Sequence, residues 1–131
     1  VIGFNHLVNY KSYLKHKYKI KKIYDKFLGK KLKIFQTKSK GNLYKYICIL
    51  KSSRQKIKLI NILKKNKIFL SGDVYSKPLH EYKIFKNFKK KNLPNSSDIC
   101  SRHICLPIYY GLSESNVKKI SSIILEFLKE N

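Results

Sequence analysis

The segment "NLYKYICIL", Asn42 to Leu50, carries the clearest strand pattern in the chain. It is rich in β-branched and aromatic residues and contains neither proline nor glycine, which favours a strand. The segment "SSRQKIKLINILKKN", residues 52–66, follows directly, and Ser52 or Ser53 can cap a helix that Asn66 ends. The spacing predicts that this helix presents an apolar face formed by Ile57, Ile60 (or Leu59) and Leu63.

Upstream of this unit the pattern is helical from His6 to Leu28, and Gly29 is suited to end the helix. The segment "KLKIF", residues 31–35, alternates between polar and apolar residues and predicts a short strand. The helix is expected to bury one apolar stripe, made of Leu7, Tyr10, Leu14, Ile20, Tyr24 and Phe27.

Downstream, "KIFLSGDVY", residues 67–75, predicts a strand that is broken at Ser71 and Gly72. The segment "KNFKKKNLPNSS", residues 86–97, has the composition of a basic surface loop. Ser96 or Ser97 can then cap a short helix.

The last part of the chain predicts one strand and one helix. The segment "ICLPIYY", residues 104–110, is extended up to Pro107, and Ser113 can cap a helix with Glu114 in its first turn. That helix is expected to bury Val117, Ile120, Ile124 and Phe127.

Helices thus alternate with short strands along 131 residues, a length that suits one domain with one modest core. We therefore expect an α/β (α+β) fold, in which helices pack on one face of a small mixed or antiparallel sheet.

The formal net charge is +23, from 30 basic against 7 acidic residues. Such a charge is typical of proteins that bind nucleic acid or anionic surfaces. However, Arg54 and Arg102 are the only arginines, and alanine is absent while Ile, Asn, Tyr and Lys abound. These four residues have A/T-rich codons, so genome base composition explains much of the lysine excess. A small nucleic-acid- or anionic-surface-binding module therefore stands as the alternative interpretation.

The three cysteines are Cys48, Cys100 and Cys105, and they form no CxxC pair. Together with an N-terminus that lacks a secretory signal pattern, this predicts reduced thiols in a cytoplasmic protein. No apolar run is long enough to predict a membrane span. The sequence begins at Val1 rather than Met, from which we expect a chain that starts within a longer reading frame or at a domain cut. "CSRHIC", residues 100–105, lacks a second ligand pair, so we expect buried cysteines and no metal site.

The sequence contains no glycine-rich phosphate loop and no GxSxG motif, and its few acidic residues predict no paired-carboxylate site. His6 and His16 lie on the first helix and are expected at its surface, while His103 is expected to be a buried polar residue. His80 follows Pro78 in the nonperiodic segment "GDVYSKPLHEYKIF", residues 72–85. Because loops often carry function, His80 is the candidate functional histidine.

The order of motifs in the second half of the chain is distinctive. Tyr75 is followed by the sequence Pro78-Leu79-His80, and then come Phe85 and Ser101. The segments "LPIY", residues 106–109, and "LSE", residues 112–114, complete the pattern. This ordered set resembles the C-terminal end of the DegT/DnrJ/StrS family of pyridoxal-phosphate (PLP)-dependent aminotransferases, which act on nucleotide-linked keto sugars.

The resemblance extends upstream and implies a division of the chain. The segment "KHKYKIKKIYDKFL", residues 15–28, is similar to the family's helix that links the large and small domains. The strand–helix–strand unit at residues 44–69 is similar to the one that precedes the family's histidine segment. Residues 1–28 would then be a linking helix from a missing large domain, and residues 29–131 the C-terminal small domain of a fold-type I PLP aminotransferase.

The resemblance also implies the roles of particular residues. His80 and Tyr75 would bind the sugar nucleotide, at its sugar or its phosphate end. Asn5, in a "GFN" segment similar to the family's glycine-tyrosine-asparagine turn, would reach the cofactor phosphate of a neighbouring subunit, although Leu7 replaces the family's arginine. The family's Schiff-base lysine, stacking histidine and pyridine-facing aspartate lie in its large domain, and no segment here resembles those motifs. We therefore expect no catalytic residue in this chain.

The function implied by the resemblance is amino transfer to a nucleotide-linked keto sugar, as in cell-surface polysaccharide or lipopolysaccharide biosynthesis. Its partners would be the sugar nucleotide and a large domain or homodimer mate. PLP would be the cofactor, and most of its pocket would lie outside this chain. The chain alone is expected to be inactive, either as the end of a complete enzyme or as a truncated remnant.

Overall fold

The computed structural model describes residues 2–35, 41–70, 72–85 and 93–130. These residues form four α-helices, three β-strands and two single-turn 3₁₀ helices. The helices are α1 (Ile2–Leu28), α2 (Ser53–Lys65), α3 (Pro94–Arg102) and α4 (Glu114–Glu130). The strands are β1 (Lys33–Ile34), β2 (Tyr46–Ile49) and β3 (His103–Leu106), and the 3₁₀ turns span Leu79–Glu81 and Lys83–Phe85.

The three strands form one antiparallel sheet in the order β1-β2-β3. Cys48 of β2 lies opposite Ile34 on one side and Ile104 on the other. Because side chains alternate across a strand, these three residues share one face of the sheet. The predicted fold class, a small sheet with helices, is confirmed.

The core lies between that face and the three longer helices. Helix α1 contributes Ile20, Tyr24 and Leu28, and α2 contributes Leu59 and Leu63. The face predicted for α4 is confirmed, since Val117, Ile120, Ile124 and Phe127 are all buried there. The strands contribute Tyr46, Cys48, Ile104 and Leu106, with Leu50 just after β2.

Polar groups inside this core are hydrogen-bonded. The Tyr24 hydroxyl donates to the Pro107 carbonyl at 3.1 Å, and the Tyr46 hydroxyl donates to Asp25 at 2.8 Å. Burial, reinforced by the bond to Asp25, raises the pKa of Tyr46 far above its ordinary range. The two tyrosines are therefore neutral donors that fix α1 against the sheet.

Helix α1 differs from the prediction in its first half. It begins at Ile2 rather than His6, so the "GFN" segment is helical here and not a turn. Leu7 and Tyr10, predicted to be buried, are 79% and 48% exposed. Helix α1 packs against α4, but residues 3, 4 and 6–12 at its start are all exposed.

The buried face of α2 agrees with the prediction at Leu59, the alternative to Ile60, and departs from it in the first turn of the helix. The Ser52 hydroxyl accepts from the Gln55 backbone N–H at 3.1 Å, and the Gln55 side chain accepts from the Lys51 N–H at 2.9 Å. These bonds satisfy Gln55, which is buried, while Ile57 is 61% exposed. Leu63, Asn66 as the end of the helix, and Ser52 as its cap are confirmed.

Two further predictions are wrong. The segment at residues 67–75 forms no strand where it is described, because Lys67 takes a left-handed φ of 59° and the Ile68 N–H returns to Leu63 O. Helix α3 begins at Pro94 with no side-chain cap, since proline suits a first helical position, rather than at Ser96 or Ser97.

The remaining predictions for the fold concern ends and loops. Ser71 and residues 86–92, most of the predicted basic loop, lie outside the described residues. The strand predicted to end before Pro107 is confirmed as β3. No helix in the described ranges combines the length and the apolar character needed to cross a bilayer.

Candidate functional site

A groove separates the two 3₁₀ turns from helix α3. Pro78 begins the first turn with a φ of −66°, which suits its fixed ring, and the Glu81 N–H donates to its carbonyl at 3.0 Å. The second turn closes through the Phe85 N–H and the Tyr82 carbonyl at 3.0 Å. Two successive tight turns thus fold the predicted loop back along α3.

The groove has a volume of about 640 Å³. One wall comes from the loop and comprises Tyr75, Pro78, Leu79, His80 and Phe85. The structure therefore brings together residues that the sequence motif separates by up to ten positions. The opposite wall comes from α3 and the residue before it, and it comprises Leu93, Ser96, Ile99 and Cys100.

His80 is the main polar group of the loop wall. Its side chain is 22% exposed, and its Nε2 lies 3.8 Å from Glu81 Oε1. Its Nδ1 is buried and has no hydrogen-bond partner among the described residues. A buried polar atom without a partner is costly, so this nitrogen is an unsatisfied position in the loop wall.

The two walls are joined by Glu81. Its Oε1 accepts a hydrogen bond from the Ser97 hydroxyl of α3 at 2.8 Å.

Burial, with a contribution from the nearby Glu81 charge, raises the pKa of the Cys100 thiol above its ordinary value. Cys100 is therefore a protonated thiol at neutral pH and not an activated nucleophile.

The chain segment that leads into the groove is held from two sides. Lys56 of α2 pairs with Asp73 at 2.8 Å. The second contact comes from His103, which is buried. Its Nε2 accepts a hydrogen bond from the Val74 N–H at 3.1 Å. The His103 Nδ1–H donates to the Ile99 carbonyl at 2.9 Å, which fixes the tautomer. These contacts set the position of Tyr75.

The other histidines do not join this site. His103 is the buried, satisfied polar residue that we predicted. His6 is exposed, as predicted. His16 is half-buried, its Nε2–H donating to the Leu112 carbonyl at 3.1 Å with its ring against Tyr110. The described residues contain no cluster of three metal-ligating side chains.

Asn5 lies in α1, and its side chain is outside what the structure describes. The sequence alone did not single out Lys56, Ser97 or Cys100 as neighbours of the groove. Their positions depend on how α2 and α3 pack against the loop, and no local motif encodes that packing. The pairing of Lys56, whose side chain is largely shielded from solvent, with Asp73 depends on the tertiary fold.

Comparison with known proteins now decides the family. A family model for the DegT/DnrJ/EryC1/StrS aminotransferases matches residues 1–125. The chain belongs to this family. No curated protein matches it.

Solved structures with the same fold include several aminotransferases. The aminotransferase TlmJ from Streptoalloteichus hindustanus is 19% identical with a TM-score of 0.87, and the match covers 98% of this chain and 35% of that chain. Helicobacter pylori PseC, an aminotransferase involved in the biosynthesis of pseudoaminic acid, is 18% identical with a TM-score of 0.85, covering 98% and 36%. The apo-form of the sugar aminotransferase Spr1654 (described as putative) from Streptococcus pneumoniae is 24% identical with a TM-score of 0.85, covering 98% and 34%. The chain thus spans about a third of the length of these structures.

PLP is the cofactor that this family implies, and the Streptococcus pneumoniae protein is also known in a PLP-form. A PLP site needs a lysine for the Schiff base and an acid or arginine at the pyridine nitrogen. None of the residues described as lining the groove is a lysine or a carboxylate. Lys56 and Asp73, which are largely buried, bond directly to each other at 2.8 Å. The described lining of this groove therefore does not supply the groups of a complete PLP site.

Proposed function

We propose that this chain is the C-terminal small domain of a sugar aminotransferase, and that its groove holds a nucleotide-linked sugar. The observation that carries this proposal is the convergence of Tyr75, His80 and Phe85 on one groove, in a chain of an aminotransferase family. His80 and Tyr75 would be the substrate-binding residues. The amino transfer itself would take place at a PLP site formed elsewhere in the enzyme.

The groove suits positioning of a substrate rather than reaction chemistry. The rigid Pro78 and the two 3₁₀ turns hold the His80 ring without the help of a ligand. A preorganised imidazole can hydrogen-bond substrate oxygens, and such orientation contributes to rate even when the group takes no part in bond making. We therefore assign His80 a binding role.

The proposed division of the chain has support in helix α1. Its C-terminal half buries Ile20 and Tyr24 in the core, whereas near its start Phe4, Leu7 and Val8 are 73%, 79% and 64% exposed. An apolar surface of this kind usually marks a contact with another domain or subunit. We propose that residues 1–28 link to a large domain, and that this domain or a dimer mate covers that surface.

The test of the binding role is calorimetry with UDP-N-acetylglucosamine and dTDP-glucose as probes. We expect binding to the native chain, and His80→Ala should weaken it by about fivefold or more, the loss expected for one or two hydrogen bonds. His6→Ala, which removes an exposed histidine that does not line the groove, is the matched control and should change nothing. Equal affinities of the native chain and His80→Ala would refute the assignment.

The same titrations separate the proposal from a nucleic-acid-binding role. Binding to DNA falls steeply as salt rises, in proportion to the phosphates neutralised. If the chain binds duplex DNA with that salt dependence and binds neither sugar nucleotide, the alternative of a basic binding module replaces the present proposal.

A further inference from the structure

His103 is a buried histidine that joins several parts of the fold. It begins strand β3, is 3% exposed and lies opposite the apolar Ile49 of β2. Its Nδ1 lies 2.9 Å from the Ile99 carbonyl oxygen of α3, and its Nε2 lies 3.1 Å from the backbone nitrogen of Val74. Val74 belongs to the groove loop, which we define as residues 72–85. One imidazole therefore fastens the start of this loop to α3 and β3.

The two contacts of the ring fix which of its nitrogens carries a proton. A backbone N–H can only donate, so Nε2 must accept from Val74 through its lone pair. A carbonyl oxygen can only accept, so Nδ1 must carry the hydrogen that Ile99 receives. Both bonds therefore exist together only while the imidazole is neutral. In the protonated ring both nitrogens are donors, and the Nε2–H would then face the Val74 N–H.

The charged residues next to the two bonding partners of His103 are paired with one another. Asp73, on the groove loop, pairs with Lys56 of α2 at 2.8 Å. Asp98, on α3, pairs with Arg102. Within each pair the two charges offset each other. The two hydrogen bonds of the ring, rather than an ion pair, are therefore what protonation of His103 changes.

The thiols around His103 are neutral. Cys105 lies two residues along β3 on the same face of the sheet, and its thiol also faces the Val74 N–H. Burial raises the pKa of this thiol more than Lys45 and the Val74 N–H lower it, and burial likewise raises the pKa of the Cys100 thiol of α3. A neutral sulfur is a weak acceptor, so Cys105 does not replace the imidazole as the partner of Val74.

We infer that His103 is a pH-sensitive latch. Its neutral ring holds the groove loop at Val74, and its protonation releases the loop from β3. Mild acidification is the condition that opens the latch, because histidine ordinarily changes charge between about pH 5 and pH 8. Tyr75 follows Val74 directly and lines the groove, so release displaces part of one groove wall. The inference concerns the loop itself and holds whatever the groove binds.

The test is NMR of the isotope-labelled native chain, titrated from about pH 8 to about pH 5. The ring signals of His103 report its charge, and hydrogen exchange of the Val74 amide, corrected for the intrinsic rate at each pH, reports the bond. We expect protection at Val74 to fall about fivefold or more as His103 is protonated, the effect of losing one hydrogen bond. The amides of Ile120 and Ile124 in α4 should stay protected.

Three results would overturn the inference. Unchanged protection at Val74 while the His103 ring titrates would show that the charge of the ring does not control the bond. A His103 ring that stays neutral down to about pH 5 would show that the latch does not open under mild acid. Loss of protection at Ile120 and Ile124 at the same pH as at Val74 would show that the whole chain unfolds instead.

Two variants distinguish His103 from the other histidine near the groove. His103→Gln offers an oxygen that can accept from the Val74 N–H but does not titrate, so the pH dependence at Val74 should disappear. His80→Gln is the matched control within the groove loop and should leave that pH dependence in place. A pH dependence that is lost in His80→Gln and kept in His103→Gln would assign the effect to His80 and refute the latch. If His103→Gln does not fold, the titration of the native chain still decides, because it uses no variant.

Discussion

Lys56 Nζ lies 2.8 Å from Asp73 Oδ2, and the two side chains are only 12% and 25% exposed. The same Nζ also lies 3.5 Å from the Cys100 carbonyl at the end of α3. One lysine of α2 thus ties the entry to the groove loop to the helix that forms the opposite wall. Removing one partner of such a shielded pair costs more than breaking a surface ion pair, because the remaining charge stays partly buried.

We predict that Lys56→Met lowers the free energy of unfolding by about 1–3 kcal/mol, because it leaves the Asp73 carboxylate partly buried without its partner. Urea denaturation followed by circular dichroism measures the change. Lys64→Met, an exposed position on the same helix, should stay within about 0.5 kcal/mol of the native chain. Equal losses for the two variants would show that the ion pair contributes nothing.

A second prediction concerns Gly29, where α1 ends. A Cβ atom at this position would lie 2.5 Å from the Asp25 carbonyl oxygen, which also accepts the Gly29 N–H at 3.0 Å. Gly29→Ala should therefore lower the melting temperature, with a loss of more than about 1 kcal/mol in unfolding free energy. Gly3→Ala is the control, because nothing lies within 4 Å of its added Cβ and alanine favours a helix. If neither variant changed the free energy of unfolding, position 29 would tolerate a Cβ and the prediction would be wrong.

A third prediction follows from the Cys100 thiol. Burial and the Glu81 charge raise its pKa, so less of the reactive thiolate is present at pH 8 than in free cysteine. Alkylation by iodoacetamide should therefore be slow at pH 8 and should accelerate as the pH rises above the ordinary thiol range.

Glu81→Gln removes one cause of the raised pKa, so Cys100 should react faster in that variant at pH 8. Mass spectrometry of the labelled peptides reads the rate at Cys100, while Cys48 and Cys105 are buried and should stay unmodified in the folded chain. Glu126→Gln is the control and should leave the alkylation rate of Cys100 unchanged. Equal alkylation rates for the native chain and the Glu81→Gln variant would show that the Glu81 charge does not affect the thiol.

A fourth prediction concerns the exposed start of α1. We expect the isolated chain to self-associate through Leu7, Val8 and their neighbours, since an uncovered apolar patch drives association. The double variant Leu7→Lys, Val8→Lys should shift sedimentation velocity profiles toward the monomer. Ile57→Lys, a similar change at an exposed position of α2, should not. A native chain that is monomeric at all concentrations would contradict the prediction.

Regular periodicity in the sequence was sufficient to locate the helices that form the core. The buried face of α4 follows from the spacing of Val117, Ile120, Ile124 and Phe127, because a helix repeats every 3.6 residues. The same reasoning failed for Leu7. This residue continues the apolar stripe of α1, yet it is exposed to solvent.

Local patterns were less informative where a tertiary contact sets the backbone. Ile68 and Phe69 have strand-forming side chains, yet the left-handed turn at Lys67 redirects the chain, and Phe69 is 72% exposed. Farther along, the Val74 N–H bonds to the His103 ring rather than to a neighbouring strand. Local sequence patterns cannot predict this hydrogen bond, because its two residues are 29 positions apart.

The candidate site was predicted in part. The ordered motif identified Tyr75, His80 and Phe85, and the structure brings these residues together. The wall formed by Ser96, Ile99 and Cys100 was not predicted, because it depends on how α3 packs. The binding roles of His80 and Tyr75, and the contact of Asn5 with a cofactor phosphate, stay predictions.

We propose that this chain supplies the sugar-binding small domain of an enzyme whose cofactor site is encoded upstream. The most direct test is to read the DNA that precedes the codon for Val1 in the source genome. We expect an open frame, in phase with Val1, that encodes the Schiff-base lysine and the other cofactor motifs of the DegT/DnrJ/EryC1/StrS family. An upstream sequence that is translated in phase but encodes no such motifs would contradict it.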